Sequence, residues 1–384
     1  MKNQIQNLPE NLICFSHLRW DFVFQRPQHL LSRFAKEINV FFLEEPIFDA
    51  EDDYLAFSKK KENVTVITPH LNQAKAEPQQ MVATMKLMVK NFFKNENLND
   101  WTFWYYTPMA LQFSEVFTPK LTVYDCMDEL SAFKFAPKEL PFLEKKLFQK
   151  ADVIFTGGHC LYQAKKNLHK NIFPFPSSIE KEHFAVAREK QEEPQDQAGI
   201  QGKKIGFYGV IDERFDIELI RSIADQRPEW QLMLIGPTAK IDEQQLPKNA
   251  NIHYLGQKTY QELPAYLSGW DVALIPFLLN ESTRFISPTK TPEYLAAGVP
   301  VVSSGITDVV HPYGKEKIVS IASGADEFIE AIEMELHRND NGAWLAKIDE
   351  LLADFSWDDT YLKMRKKMCD AITANSMNLI SIAS

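Results

Sequence analysis

Glycine is scarce in this chain, with 14 among 384 residues and none before Gly157. A Walker loop or a G-x-G-x-x-G turn needs glycine wherever the main chain must touch phosphate. Neither can lie in the first 156 residues, so phosphate chemistry falls to the second half or to side chains. Cysteine is scarce as well. Cys14, Cys126, Cys160 and Cys369 are scattered with no C-x-x-C pair, which argues against a disulfide frame or a zinc site and for reduced core residues. Positive charge is in deficit, the formal net charge being −10, and that excludes a nucleic-acid protein with a broad basic face. Apolar runs such as Val272–Leu279 are far shorter than the ~20 residues needed to span a bilayer. The opening residues MKNQIQNLPENL lack the apolar core of a signal peptide. These absences together point to a cytoplasmic protein.

What is present is the composition of a globular protein, 45% hydrophobic and 24% charged, in a chain long enough for two domains. The charge is uneven. Residues 1–200 hold 24 basic and 26 acidic side chains, net −2, and residues 201–384 hold 18 and 26, net −8. The front half can therefore approach a membrane or an anionic acceptor more readily than the back half. Short apolar runs alternate with helical periodicity throughout, the pattern of an α/β protein with parallel sheets. In the first half, strands are expected at Leu12–Phe15, Val40–Leu43, Val64–Ile67, Trp101–Tyr105, Leu121–Tyr124, Val153–Phe155 and Ile172–Phe173. Arg188–Lys204 is polar without periodicity and reads as an exposed linker. The alternation then restarts, with strands expected at Ile205–Val210, Gln231–Ile235, Ile252–Leu255, Val272–Pro276, Val299–Ser303 and Ile318–Ile321. Two doubly wound halves, residues 1–187 and 204–356, joined by a linker at 188–203, would face a ligand cleft at the carboxyl ends of their strands.

The densest chemistry lies in RFISPTKTPEYLAAGVPVVS, residues 284–303. Pro288 and Pro292 suit a helix start, and Gly298 suits its end. The helix N-terminus would direct free N–H groups at an anion. Lys290 and Glu293, three apart, share one face of the first turn. The lysine suits a diphosphate, and the carboxylate suits two vicinal hydroxyls such as those of a ribose. A glutamate at a helix start is also favoured simply by the dipole. In the first half, strand Leu12–Phe15 is followed by His17, Arg19, Trp20, Asp21, Gln25 and Arg26. Asp21 or His17 could orient an acceptor hydroxyl or take its proton, whereas each could equally be a cap or a satisfied polar residue. Asp128 follows strand Leu121–Tyr124 and is a further acid/base candidate, with helix capping as its plainer reading. Trp20, Arg26 and Tyr106 are candidate phosphate or acceptor contacts. The segment Met81–Asn95 is Met-rich, amphipathic and basic, fitting either a core-facing helix or a membrane surface.

The segment 284–303 resembles the donor-binding signature of GT-B-fold glycosyltransferases, especially family-4-like enzymes of the teichuronic-acid and surface-polysaccharide subgroup. Their pattern, S/N-P-x-K-x-x-E-Y-L-A-x-G-x-P-V-V, is met by Ser287-Pro288-Thr289-Lys290 and by Glu293 through Val302. YDCMDE at 124–129, KADVIFTGGHCLYQAKKNL with FPSSIEKEHF, NIHYLGQKTYQELPAYLSGWDVALIPF and the terminal FSWDDTYLKMRKKM resemble further family segments in the same order. The resemblance implies two Rossmann-like domains facing a cleft, with residues 357–384 forming a helix that crosses back onto the first. It implies a nucleotide-sugar donor, with a UDP-sugar expected, held by Gly209, Arg214, Gly256, Ser287, Pro288, Thr289, Lys290 and Glu293. It further implies a polysaccharide or lipid-linked acceptor, retention of anomeric configuration, no metal and no cofactor, and peripheral association with the inner face of the membrane as an option. Where many members carry a first glutamate eight positions before the second, this chain has Phe285. A GT-B-fold nucleotide-sugar epimerase and a non-catalytic nucleotide-sugar-binding partner are the alternatives.

Overall fold

The computed structural model describes residues 8–189 and 191–383. It divides into two compact units, one formed by the chain up to Pro176 with the segment from Trp357 onward, the other by Ser177–Ser356. The fold is mixed α/β with one largely parallel sheet in each unit.

The first unit is built on nine strands: β1 (Asn11–Phe15), β2 (Asn39–Leu43), β3 (Ile47–Ala50), β4 (Tyr54–Lys59), β5 (Val64–Asn72), β6 (Trp101–Tyr105), β7 (Leu121–Cys126), β8 (Val153–Thr156) and β9 (Ile172–Pro174). Their order is β3-β5-β2-β1-β6-β7-β8-β9, with β4 pairing antiparallel on β5. Every residue of β6 and β7 is buried, as expected of central parallel strands covered on both faces. The order reverses direction at β1, so the loops after β1, β6 and β7 share the carboxyl edge at a topological switch point. β3 and β4 were not expected from the sequence. They are short and half-exposed, and the acidic run between them masks their alternation.

The helix Trp357–Ala383 closes this unit. Trp357, Tyr361, Met364, Met368, Ala371 and Ile372 are buried in the same core as Leu30, Phe34 and Trp104, a spacing of three and four that lays one apolar stripe on the sheet layer. The Trp357 indole stacks on the His29 ring at 4.7 Å.

The second unit carries β10 (Lys203–Tyr208), β11 (Trp230–Ile235), β12 (Ile252–Gly256), β13 (Val272–Ile275), β14 (Val301–Ser303) and β15 (Ser320–Ile321). All pairs are parallel, in the order β12-β11-β10-β13-β14-β15. The reversal falls at β10, so the loop after it and the loop after β13 flank the switch point.

The expected boundary at 187 and the exposed linker at 188–203 are corrected here. The division falls after Pro176, and the polar segment packs within the second unit. The Arg188 guanidinium donates to the Ala296 carbonyl at 2.7 Å and pairs with Asp349 at 2.9 Å. Gln197 is fully buried between the Tyr266 carbonyl and the Trp270 indole. Polar residues satisfied by distant partners carry no hydrophobic period, so such a segment reads as loop.

Candidate functional site

At the carboxyl end of β10, Gly209 adopts φ +138°, and a Cβ there would stand 2.2 Å from Lys290 Cε and 2.7 Å from its Nζ. The close approach that requires glycine is thus made by the Lys290 side chain. The Lys290 ammonium lies 5.6 Å from the Phe207 ring centre and 5.7 Å from that of Phe277, close to the limit for attraction to an aromatic face. At the end of β11, Gly236 has φ +136° and a Cβ there would meet the Gly209 carbonyl oxygen at 2.0 Å. Its amide donates to the carbonyl of Gly256, which is exposed with open space around its Cα.

The helix Lys290–Ala296 begins after Thr289, whose side chain makes no capping bond. Ser287, Pro288 and Thr289 are half-buried, and the residues from Thr291 to Ala296 are buried. Glu293 therefore sits in the interior, where its carboxylate accepts a hydrogen bond from the Tyr208 hydroxyl. The Tyr208 amide in turn donates to the Tyr294 hydroxyl at 3.0 Å, and the two rings meet edge to face at 4.9 Å. Burial pushes the Glu293 carboxyl up to about 7, against the downward pull of the Tyr208 hydrogen bond and the Lys290 charge, with Glu180 adding to the rise. This carboxyl changes charge near neutrality. Arg214, in the loop after β10, is clasped by Asp212, its Nε and Nη2 reaching the carboxylate at 3.0 and 2.6 Å. The donor candidates thus comprise one carboxylate that can accept two hydroxyls and two cations, Arg214 in the loop after β10 and Lys290 at the start of its helix, a set suited to a polyol attached to an anion.

In the first unit the structure separates the candidates. His17 and Asp128 are half-buried in the loops after β1 and β7. Glu129, beside Asp128, is tied to Lys165 at 2.7 Å, and Lys165 also holds Glu144 at 2.8 Å. Asp21 lies on the surface, 72% exposed and ion-paired with Lys60 at 2.6 Å. Three expected contacts are corrected. Trp20 belongs to the core, its ring edge-on to Phe42 at 5.1 Å. Arg26 is 2% exposed, and its Nε and Nη2 bind Asp125 at 3.0 and 2.9 Å while Nη1 donates to the Phe175 carbonyl at 2.7 Å. All three nitrogens are committed inside the unit, which is how a buried guanidinium is tolerated. Tyr106 is buried to the same degree, with its hydroxyl against the Asp125 carboxylate.

Tyr208, Asp212 and Asp125 were missed as members of these clusters. Tyr208 ends an apolar strand, where an aromatic side chain signals core. Asp125 shares YDCMDE with Asp128, and only its place inside β7 separates a buried ion-pair partner from a loop carboxylate. Among the described residues no group of three or more His, Cys, Asp or Glu is arranged to hold a metal ion, and no helix is long and apolar enough to cross a membrane.

Residues 202–338 match the family model described as "Glycosyl transferases group 1". That segment of the chain is therefore similar to group 1 glycosyltransferases. The matched segment encloses Gly209, Arg214, Gly256, Ser287 through Lys290 and Glu293. The chain is also 25% identical to the putative teichuronic acid biosynthesis glycosyltransferase TuaH of Bacillus subtilis (strain 168), across 69% of this chain and 66% of that one, just under two thirds of the relative's length. Among solved structures it is similar to sucrose-phosphate synthase from Thermosynechococcus elongatus, with TM-score 0.68, 15% identity and coverage of 98% of this chain and 100% of that one. It is similar to an E. coli structure, described as trehalose-6-phosphate bound with UDP-2-fluoro glucose, at TM-score 0.67, 12% identity and coverage of 94% and 99%. Anabaena Alr3699/HepE in complex with UDP and glucose matches at TM-score 0.65 and 12% identity, covering 92% of this chain and 98% of that one. At these identities the structural likeness establishes the fold, which is GT-B.

Proposed function

We propose that the protein transfers a sugar from a nucleoside diphosphate, a UDP-sugar, to a hydroxyl of a polysaccharide or lipid-linked acceptor in surface-polysaccharide synthesis, with retention of anomeric configuration. The observation that carries this reading is the Tyr208–Glu293–Lys290 cluster inside the segment similar to group 1 glycosyltransferases. Glu293 in its charged form accepts the two vicinal hydroxyls of the ribose. Lys290 and Arg214 take the diphosphate, with Arg214 exchanging Asp212 for phosphate oxygens. Cations placed there stabilise the charge that develops on the leaving diphosphate, the electrostatic contribution that is usually largest in catalysis. Ser287 and Thr289 offer main-chain N–H groups to the same anion, Pro288 between them restricts the turn that presents them, and Gly256 leaves room beside the base. The base identity is supported by the UDP named with the E. coli and Anabaena structures, and the acceptor class by the name of the TuaH relative.

On the acceptor side, Asp128 and His17 are the groups proposed to orient the hydroxyl or take its proton. Asp21 would serve only after leaving Lys60. No resident cofactor is part of the mechanism, since the nucleotide sugar is itself a substrate. A lipid-linked acceptor would bring the protein to the inner face of the membrane as a peripheral partner.

The test is to incubate the full chain with a panel of nucleotide sugars and follow nucleoside diphosphate release with and without a cell-envelope acceptor extract. Acceptor-dependent UDP release with a glycosylated product, its anomeric linkage matching the donor by NMR, is the expected result. Interconversion of the sugar without transfer would identify an epimerase instead, and tight donor binding without turnover would identify a binding partner. Either outcome overturns the proposal.

A further inference from the structure

Asp128 sits in the short segment Met127–Glu129 after β7, and the residue on each side of it is held by a group that the proposed chemistry leaves unused. Met127 packs on Gly157, the first glycine of the chain, just past the end of β8. A Cβ at Gly157 would stand 2.2 Å from the Met127 carbonyl oxygen, so the close approach of the two loops requires glycine. The Gly157 amide donates to the Cys126 carbonyl at 2.9 Å, and the Met127 amide turns back to the Asp125 carbonyl at 3.0 Å. Glu129 is fixed through its side chain. Its Oε1 accepts from the Ser131 hydroxyl at 2.5 Å, and its Oε2 lies 2.7 Å from the Lys165 ammonium.

Lys165 ends the helix His159–Lys165, and its side chain is 7% exposed. It also reaches both oxygens of Glu144, on the helix Leu140–Lys150, at 2.8 Å. Glu144 Oε1 accepts in addition from the Tyr124 hydroxyl at 2.8 Å. Cys126 Sγ lies 3.6 Å from the Asp128 carbonyl oxygen and 3.7 Å from Glu144 Oε1. Two helices, the end of β7 and the loop after it thus meet on one ammonium. A cluster of one ammonium and two carboxylates withdrawn from water gains little folding stability over apolar residues of the same volume. What it supplies here is one fixed geometry for the residue that leads into it. That matters for Asp128, because a group that takes a proton must stand within about 2.6–3.2 Å of its partner. Misplacement by about 1 Å costs on the order of 100-fold in rate.

We propose that Glu129 and Lys165 are positioning residues, whose ion pair, together with the Met127–Gly157 contact, fixes the main chain around Asp128 so that its carboxylate meets the acceptor hydroxyl. This rests on the reading of Asp128 as a group that orients that hydroxyl or takes its proton. Glu144 and Tyr124 hold Lys165 in place and do not touch the loop that carries Asp128.

Glu129→Ala is the variant to test, because Lys165 keeps Glu144 as its partner and no buried charge is stranded. In the full chain, with the donor and acceptor identified by the panel above, kcat should fall about 10- to 100-fold while the donor KM stays as in the parent. Asp128→Asn should lose at least as much, and the double variant should be no slower than Asp128→Asn alone, since a displaced loop has nothing left to misplace. A role confined to stability would instead multiply the two losses. Parental kcat in Glu129→Ala, or a double variant slowed by the product of the two factors, overturns the proposal and leaves Asp128 in its role. Parental kcat in Asp128→Asn overturns the assignment of Asp128 and the positioning role with it. Hydrogen exchange adds a readout that needs no substrate. Amides of residues 127–130 should exchange about 10-fold faster or more in Glu129→Ala, with those of β6 unchanged. Equal exchange in the two proteins overturns the proposal whatever becomes of the transferase reading.

Discussion

Glu293 illustrates how one residue can be readable in sequence while its electrostatics are not. Its spacing from Lys290 and its place before a buried strand mark it as a ligand-facing carboxylate. Its burial and its tie to Tyr208 come from the partner strand, 85 residues away in the chain. Because burial raises its pKa to about 7, the ligand-free carboxyl is mostly protonated at pH 6 and mostly charged at pH 8. Two ribose hydroxyls need the charged form as acceptor, so donor affinity should rise with pH through about 7 and then level off, as read by calorimetry across that range. Tyr208→Phe removes a hydrogen bond that favours the charged form, so the midpoint of that profile should move upward. A purely structural role for Tyr208 would leave the midpoint in place. The same shift has a sign for stability. A carboxyl whose folded pKa is raised destabilises the fold as pH rises from its ordinary value of 4.5 to about 7, so Glu293→Gln should be more stable than the parent above pH 7 in urea melts. Arg26 shows the opposite failure of legibility. An arginine before proline at a helix start reads as a candidate phosphate or acceptor contact, yet Asp125, 99 residues away, draws it into the core. Removing one partner strands the other, so Asp125→Ala should cost about 3–5 kcal/mol of folding stability.

Elements were legible in proportion to how continuously apolar they are. β6 falls at the bounds the sequence implied, because it is a bounded apolar run. The strands β3 and β4 are short, half-exposed and separated by an acidic run, and did not announce themselves. The closing helix was implied by the family resemblance, and its buried stripe makes a prediction. Trp357 is buried against His29 and the core that includes Phe34, so Trp357→Ala should destabilise the first unit by about 3–5 kcal/mol in a denaturant titration. The turn after β10 makes another. Gly209 combines φ +138° with the Lys290 side chain where a Cβ would stand. Gly209→Ala should therefore cost about 1–3 kcal/mol of backbone strain and displace Lys290, weakening diphosphate binding more than nucleoside binding in a comparison of UDP with uridine.

Across the whole molecule, the absence of early glycine divides the labour between the units. The second unit has glycine at the ends of β10, β11 and β12 and the cations and carboxylate of the donor candidates. The first has only the adjacent Gly157 and Gly158 and offers side chains at the loops after β1 and β7. The two-unit architecture was visible in the alternation of strands and helices, but the point of division was not. Residues 188–203 are polar enough to resemble a linker, and their hydrogen-bond partners lie up to 161 residues away. In the proposed function Glu293 holds the donor's ribose. Calorimetric titration of a UDP-sugar into the full chain and into Glu293→Ala at pH 8 tests it most directly. Loss of charge-assisted hydrogen bonds predicts affinity lower by about 10- to 100-fold in the variant, with the unfolding midpoint no lower than the parent's. Equal affinity for the donor in the two proteins would contradict it.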